Sequence, residues 1–223
     1  MPKDAVRVLA WSEMSEPANV YPKGINGALA DHLNTCNGIT AKTAQLGDPE
    51  QGVSEAALAE TDVVMWFGHV KHGDVTDETV ARVVKAVKDR GVGYLALHSS
   101  HFAKPLKALL GTACSFRAYV HDGKPARILV AAPDHPIAKG VEDFVIPNEE
   151  WYGEPFEVPT PEAIVIAGVY NDDTELTRDG LLWTVGKGRV FYFRPGHETY
   201  PIYNMPPVRR IIENAVRFLA PKV

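Results

Sequence analysis

The stretch DVVMWFGHVKHGDVTDETVARVVKAVKDRGVGYLALHSSHF, residues 62–102, decides the fold. Asp62–Gly68 and Val92–Leu97 are apolar runs without polar alternation, the pattern of strands buried on both faces in a parallel sheet. Between them Thr76 or Asp77 caps a helix that runs to Arg90. Its Val80, Val83, Val84 and Val87 recur at helical spacing, and Gly91 stands where a C′ glycine belongs. Strand, helix, strand in that order predicts a right-handed crossover between parallel neighbours.

The same rhythm extends upstream. Val6–Trp11 reads as a strand, Lys23–Asn34 as a helix introduced by Pro22, and Ile39–Gln45 as a second strand. Ser54–Glu60 reads as a short helix with Ser54 at its N-cap. A helix over Lys104–Leu110 follows the quoted stretch. The second half differs: strand-like pieces at Ala126–Ala131, Ile164–Val169 and Leu181–Val185 are split by Pro-rich loops. Gly188–Arg194 predicts a final, central strand, and Pro206 or Pro207 starts a last helix through Leu219. The expected fold is α/β, a doubly wound, mostly parallel sheet with an antiparallel extension in the second half, as one domain over residues 1–223.

A formal charge of −5 over 223 residues argues against a phosphate-backbone binder, so no nucleic-acid partner is expected. Cys36 and Cys114 belong to no metal-binding Cys pattern and read as reduced thiols of the core. No stretch is long and apolar enough for a membrane span, and no signal-peptide core precedes the first strand. A cytoplasmic protein with no membrane partner is expected.

Five of the eight histidines fall in WFGHVKHGD (66–74), LALHSSHF (95–102) and RPGHETYP (194–201), each where an apolar run stops. Open α/β sheets bind ligands outside the carboxyl ends of their strands, so His69, His98 and His197 are expected at one crevice. His98-Ser99-Ser100-His101 occupies the position of a nucleophile elbow but lacks its glycines, which leaves a serine hydrolase as a weak alternative. Adjacent residues on extended chain point apart, so the carboxylate that orients His197 is sought outside Glu198, in Asn148-Glu149-Glu150-Trp151-Tyr152-Gly153-Glu154. Glu13, after the first strand, is a candidate for the same crevice. His121 sits in a turn with no role assigned.

Trp66-Phe67-Gly68-His69, Leu97-His98-Ser99-Ser100-His101-Phe102, Glu149-Glu150-Trp151-Tyr152-Gly153-Glu154 and Phe193-Arg194-Pro195-Gly196-His197-Glu198-Thr199-Tyr200-Pro201 together resemble the ThuA-like, or trehalose-utilisation, family over nearly the whole chain. The resemblance implies a flavodoxin-like sheet of the class I glutamine amidotransferase-like superfamily. In that superfamily's amidotransferases the elbow carries a Cys; here it shows His98-Ser99 and no Cys, and His197-Glu198 lacks the intervening residue of His-x-Glu, so amidotransferase activity is not expected. The resemblance further implies carbohydrate catabolism: acid/base cleavage of a 3-keto disaccharide or related oxidised sugar, by hydrolysis or elimination. The alternative is a non-catalytic carbohydrate-binding or regulatory module.

His98, His101, Glu150 and His197 are the expected catalytic residues. Glu13, Tyr152 and Tyr200 are expected to bind sugar. Three His, or two His and a carboxylate, is the usual catalytic zinc set. His69, His98 and His197 are therefore the expected ligands of a divalent metal, Zn²⁺ favoured, with Glu150 as fourth ligand or general base and His101 in reserve. No nucleotide cofactor is expected. Tyr200, Tyr203, Met205, Pro206 and Pro207 form either a homo-oligomer interface or a patch packed on the chain's own site.

Overall fold

In the first half, strands and helices alternate as β1 (Val6–Ser12), α1 (Gly24–Leu33), β2 (Ile39–Gln45), α2 (Glu55–Ala59), β3 (Val63–Phe67), α3 (Asp77–Arg90), β4 (Gly93–Leu97) and α4 (Lys104–Leu110). The second half holds β5 (Phe116–Val120), β6 (Ala126–Val130), β7 (Phe144–Ile146), β8 (Trp151–Phe156), β9 (Ala163–Tyr170), β10 (Glu175–Val185), β11 (Gly188–Phe193) and α5 (Pro206–Leu219). This computed structural model describes residues 5–170 and 173–221.

Nine strands form one sheet in the order β2-β1-β3-β4-β11-β10-β9-β6-β7. From β2 to β11 neighbours are parallel; from β11 to β7 they are antiparallel. Every residue of β3 and β4 is buried, as their unbroken apolar runs require. Alternate side chains divide the core: Val8, Ala10, Val63 and Met65 pack with α1 and α5 on one face. Leu9, Trp11, Val64 and Trp66 pack with α2, α3 and α4 on the other. The sheet is doubly wound, and β11 lies centrally between β4 and β10, as expected.

Helix ends follow their chemistry. Thr76 Oγ1 accepts from the Thr79 N–H at 3.3 Å, and Gly91 closes α3 in the left-handed conformation with φ 79°. Ser54 caps α2 by accepting from the Ala57 N–H at 3.1 Å.

The second half departs from its sequence reading in three places. β10 begins at Glu175, six residues before the expected start at Leu181. The short β7 was not expected. Most consequentially, β5 and β8 pair as a separate two-stranded antiparallel sheet, with Tyr119 opposite Tyr152. The segment around Trp151–Glu154 is therefore strand rather than loop. Gly153 and Pro155 concealed β8, because both residues weaken a strand signal, and its partner β5 lies far upstream.

Of the aromatic and Pro-rich patch near the end, Tyr203 packs fully on the chain itself, Tyr200 and Met205 do so in part, and Pro206 is exposed. Tyr203 and Ile202 are buried, and the Tyr21 hydroxyl donates to the Tyr200 carbonyl at 2.8 Å. Among the described residues no helix is long and apolar enough to cross a membrane.

Candidate active site

Three parallel neighbours, β3, β4 and β11, end side by side and carry the histidines. β3 delivers His69 just past Gly68. β4 runs into His98, which adopts left-handed backbone at φ 45° before a tight helical turn and α4. That sharp strand-to-helix elbow is the turn the sequence suggested, with an imidazole at its tip. A non-glycine residue held at positive φ stores roughly 1–3 kcal/mol of strain and persists only where the surroundings enforce it. β11 delivers His197. The three rings lie close together, with centroids 5.1 Å apart for His69 and His197, 5.5 Å for His98 and His197, and 6.4 Å for His69 and His98.

Each outer imidazole has its own carboxylate. His69 Nδ1 lies 2.5 Å from Glu198 Oε2. His98 Nε2 lies 3.1 Å from Glu150 Oε2, and the Tyr152 hydroxyl sits 2.8 Å from that nitrogen and donates to the same oxygen at 2.9 Å. His197 stands between the pairs, with Nε2 3.7 Å from Glu150 and Nδ1 3.7 Å from Glu198. A carbonyl only accepts, so the 2.7 Å contact between His98 Nδ1 and the Arg194 carbonyl places a proton on Nδ1. The other ring nitrogen, Nε2, faces Glu150 and the Tyr152 hydroxyl and is the one turned into the site. His197 Nδ1 lies 2.8 Å from the Thr199 hydroxyl and accepts from its N–H at 3.2 Å.

A buried scaffold behind these groups fixes the three loops. Glu149 accepts from the N–H groups of Gly196 at 2.9 Å, His197 at 3.2 Å and Glu150 at 2.9 Å, and so pins the His197 turn. Gly196 has φ 135°, and a Cβ there would lie 2.1 Å from the Tyr203 hydroxyl, so the turn requires glycine. Arg194 is fully buried: Nε donates to Asp179 at 2.8 Å, one amino group to the Tyr152 carbonyl at 2.8 Å and the other to Thr177 at 2.6 Å. The elbow is tied to β3 by Ser100, whose hydroxyl donates to the Trp66 carbonyl at 2.9 Å and accepts from the Gly68 N–H at 3.0 Å.

Environment separates the titrations. Burial alone would raise Glu150, but the hydrogen bond and charge of His98, with His197 and Tyr152, outweigh it and hold the carboxyl down at about 2. Burial, together with the neighbouring His98, pushes His197 down to about 4. Burial opposes protonation of His69 too, yet the hydrogen bond and charge of Glu198 prevail and raise it above the ordinary imidazole value. Glu149, wholly enclosed, is pushed up to about 7 by burial despite its three N–H donors.

The structure therefore brings together His69, His98, His197, Glu150 and Tyr152. It does not assemble the three histidines into one ligand set: among the described residues the compact donor groups here are His69–His197–Glu198 and His98–Glu150–His197, each with donor atoms within 4.8 Å. Three other nominated residues are placed differently. His101 is buried away from both groups, its Nδ1–H donating to the Cys114 carbonyl at 2.6 Å among Phe116, Tyr119 and Tyr152. Burial pushes its pKa down to about 3. Glu13 accepts from the N–H groups of Val70 at 2.7 Å and Lys71 at 3.0 Å, so it braces the His69 loop rather than facing the crevice. Tyr200 lies at the rim, its hydroxyl 3.1 Å from Nε2 of the exposed His121, whose ring packs 4.1 Å from that of His197. Neither Ser99 nor Ser100 hydrogen-bonds an imidazole; Ser99 faces the Tyr152 hydroxyl at 3.0 Å.

Sequence reasoning passed over Glu198 as the partner of His69, and Asp179 and Arg194 as braces, while Glu149 stood only among the candidate carboxylates for His197, whose turn it pins. The only available signal for the braces was a charged residue inside an otherwise apolar strand or a pair of adjacent glutamates.

A family model described as trehalose utilisation (ThuA) matches residues 7–219. None of the curated proteins matches the chain in sequence. Among solved structures, the chain is similar to a ThuA-like protein of Bacteroides uniformis, with 16% identity and TM-score 0.68 over 98% of this chain and 93% of that one. It is also similar to a cytoplasmic protein of Salmonella typhimurium, with 14% identity and TM-score 0.66 over 96% and 100%. A third similar structure is the carbohydrate deacetylase Agd3, with 12% identity and TM-score 0.64 over 96% of this chain and 32% of that one. At these identities the likeness is one of fold.

Proposed function

The chain belongs to the trehalose-utilisation (ThuA) family, and from that membership we propose that it is an enzyme cleaving a 3-keto disaccharide or related oxidised sugar. The family description ties the chain to carbohydrate use. The observation that carries the finer reading is the convergence of two imidazole–carboxylate pairs on His197, with environments that separate their proton affinities.

A ketone at C3 acidifies the proton on C2. Removing that proton leaves an enolate, whose electron pair expels the C1 substituent, and the departing oxygen takes up a proton. A proton carrier works best with a pKa near the working pH. Of the groups here His69 suits that task, since Glu198 orients it and lifts its proton affinity. His69 takes the C2 proton and returns it to the leaving oxygen. Tyr200, at the rim, is the residue assigned to a sugar hydroxyl in this reading, while the buried Tyr152 hydroxyl supports His98 and Glu150.

His98, His197 and Glu150 suit a divalent cation, Zn²⁺ favoured. Glu150 stays ionised and His197 neutral near pH 7. His98 Nδ1–H is held by a backbone carbonyl, the outer-shell support such a ligand needs. A cation held there would polarise the C3 carbonyl and stabilise the enolate.

The test is incubation with a 3-keto disaccharide, following release of the second sugar. Wild type is expected to cleave it, and His69→Ala to bind it without cleaving. Binding by wild type with no turnover would overturn the enzymatic reading in favour of a carbohydrate-binding module. Elemental analysis after dialysis tests the cation separately: retention by wild type and loss in His98→Ala are expected. No retained metal, with chelators leaving turnover untouched, would overturn it.

A further inference from the structure

A second cluster of donors lies at the opposite edge of the sheet, where the chain leaves α1 to begin β2. There the Val6 N–H donates to the Gly38 carbonyl at 2.9 Å, at the amino ends of the first two strands. His32 occupies the last turn of α1, and Cys36 follows four residues later in the turn that closes it. The Cys36 N–H donates to the Leu33 carbonyl at 3.0 Å, so helical winding continues and both side chains project from one face. Glu213 of α5 packs against them. We propose that His32, Cys36 and Glu213 form a site for one borderline-soft divalent cation of the Zn²⁺ class, joining α1 to α5.

Cys36 Sγ lies 3.9 Å from His32 Nε2, and a Glu213 oxygen completes a group whose donor atoms all lie within 4.8 Å of one another. Tetrahedral zinc, with Zn–S about 2.3 Å and Zn–N about 2.0–2.1 Å, sets sulfur and nitrogen about 3.6 Å apart. The Cys–His pair needs to close by only a few tenths of an ångström. All three residues are half-buried, so the donors are shielded from full hydration yet reachable.

Glu213 is already paired with Arg217 at 2.9 Å and Arg210 at 3.2 Å. Both guanidinium side chains are substantially exposed, and such pairs contribute little stability, so either can turn outward to free a carboxylate lone pair. On binding, the Cys36 thiol loses its proton to solvent and its sulfur bonds to the cation, while water takes the fourth position. Thiolate with imidazole selects zinc-like cations over Mg²⁺ or Ca²⁺, which prefer oxygen.

Co²⁺ is the probe, because a thiolate bound to it gives a charge-transfer absorption that nitrogen and oxygen ligands do not. The chain has two cysteines, and Cys114 is fully buried beside Thr112 on the other face of the sheet. The candidate active site holds no sulfur, so Co²⁺ bound there is silent in this band. The expected result is a thiolate band that saturates within two equivalents per chain, the silent active-site cation taking the other, and that is abolished in Cys36→Ser, weakened in Glu213→Gln and displaced by Zn²⁺. Absence of the band, its appearance only at large molar excess, or its persistence unchanged in Glu213→Gln would overturn the proposal. Alkylation supplies a second readout on unaltered protein: Zn²⁺ is expected to protect Cys36, and equal labelling with and without Zn²⁺ would overturn the site.

Discussion

From β1 to β4 the parallel half brings two of the three imidazoles, His69 and His98, to the crevice at the ends of its strands, whereas the second half brings His197 together with the carboxylates and hydroxyls that surround all three. His69 and His98 stand where a buried apolar strand stops, positions set by the strand itself. Glu150 and Tyr152 stand at the start of β8, a strand of the small separate sheet, and reach His98 only because Arg194 and Asp179 lock β8, β10 and β11 together. Placement of a titratable group and control of its charge are thus assigned to different regions. Packing lost far from the crevice in the parallel half is expected to leave turnover in place, whereas loss of the Arg194–Asp179 brace in the second half is expected to disturb it.

The strongest way to break that contrast is to remove Asp179. Asp179→Ala leaves the Arg194 guanidinium buried without its counter-charge, a change that destabilises by about 3–5 kcal/mol. Leu58→Ala in α2 makes a hole in the parallel half at about 2–5 kcal/mol. Urea unfolding is expected to place both variants in this range, while only Asp179→Ala loses turnover among molecules still folded. Equal turnover in the two folded variants would abolish the distinction.

A smaller effect is expected within the site. Glu150→Gln keeps the shape but removes the charge facing His98 and His197, and is expected to lower kcat by about a hundredfold, the low end for a group acting directly on proton transfer or charge. The fold should be unchanged by circular dichroism. A loss confined to KM would instead make Glu150 a binding residue.

Gly196→Ala should destabilise by about 1–3 kcal/mol, because its φ of 135° is strained for alanine and its Cβ would meet the Tyr203 hydroxyl. Thermal unfolding measures this directly, and an unchanged midpoint would show that the His197 turn has slack.

The mildest effect is on pH. With His69 as the base, kcat/KM rises as pH increases through a pKa above the ordinary imidazole value, because the neutral ring does the work. Glu198→Gln removes the main causes of that elevation, so the rising limb should move to lower pH. The stability sign is opposite: a raised folded-state pKa gives stabilisation that is complete below the unfolded value and lost as pH climbs through the folded one. A limb that stays in place in Glu198→Gln would remove His69 from the proton-carrying role.

Legibility followed the range of the interaction. The strands ending at His69 and His98 were readable because burial on both faces selects an apolar run within a few consecutive residues. α3 was readable because its cap, valine spacing and closing glycine are all local. β5 and β8 were not, since each is short and is a strand only because of the other. Glu198 was set aside on the rule that adjacent residues on extended chain point apart, but the turn after β11 brings its carboxylate 3.7 Å from His197 Nδ1 as well as 2.5 Å from His69, a partner no local pattern names.

The sequence by itself determined the doubly wound sheet, the antiparallel extension, and the gathering of His69, His98 and His197 at one edge, since hydrophobic period and strand ends are properties of contiguous residues. Tertiary structure alone decided that His69 and His98 each lie against a carboxylate, with His197 between them, rather than forming one set. It also decided that Glu13 and Glu149 brace loops and that His101 lies in an aromatic pocket. The reason is distance along the chain. His98 meets its carboxylate across 52 positions and His69 across 129. Contacts of that span depend on how whole strands are ordered, which no local pattern encodes.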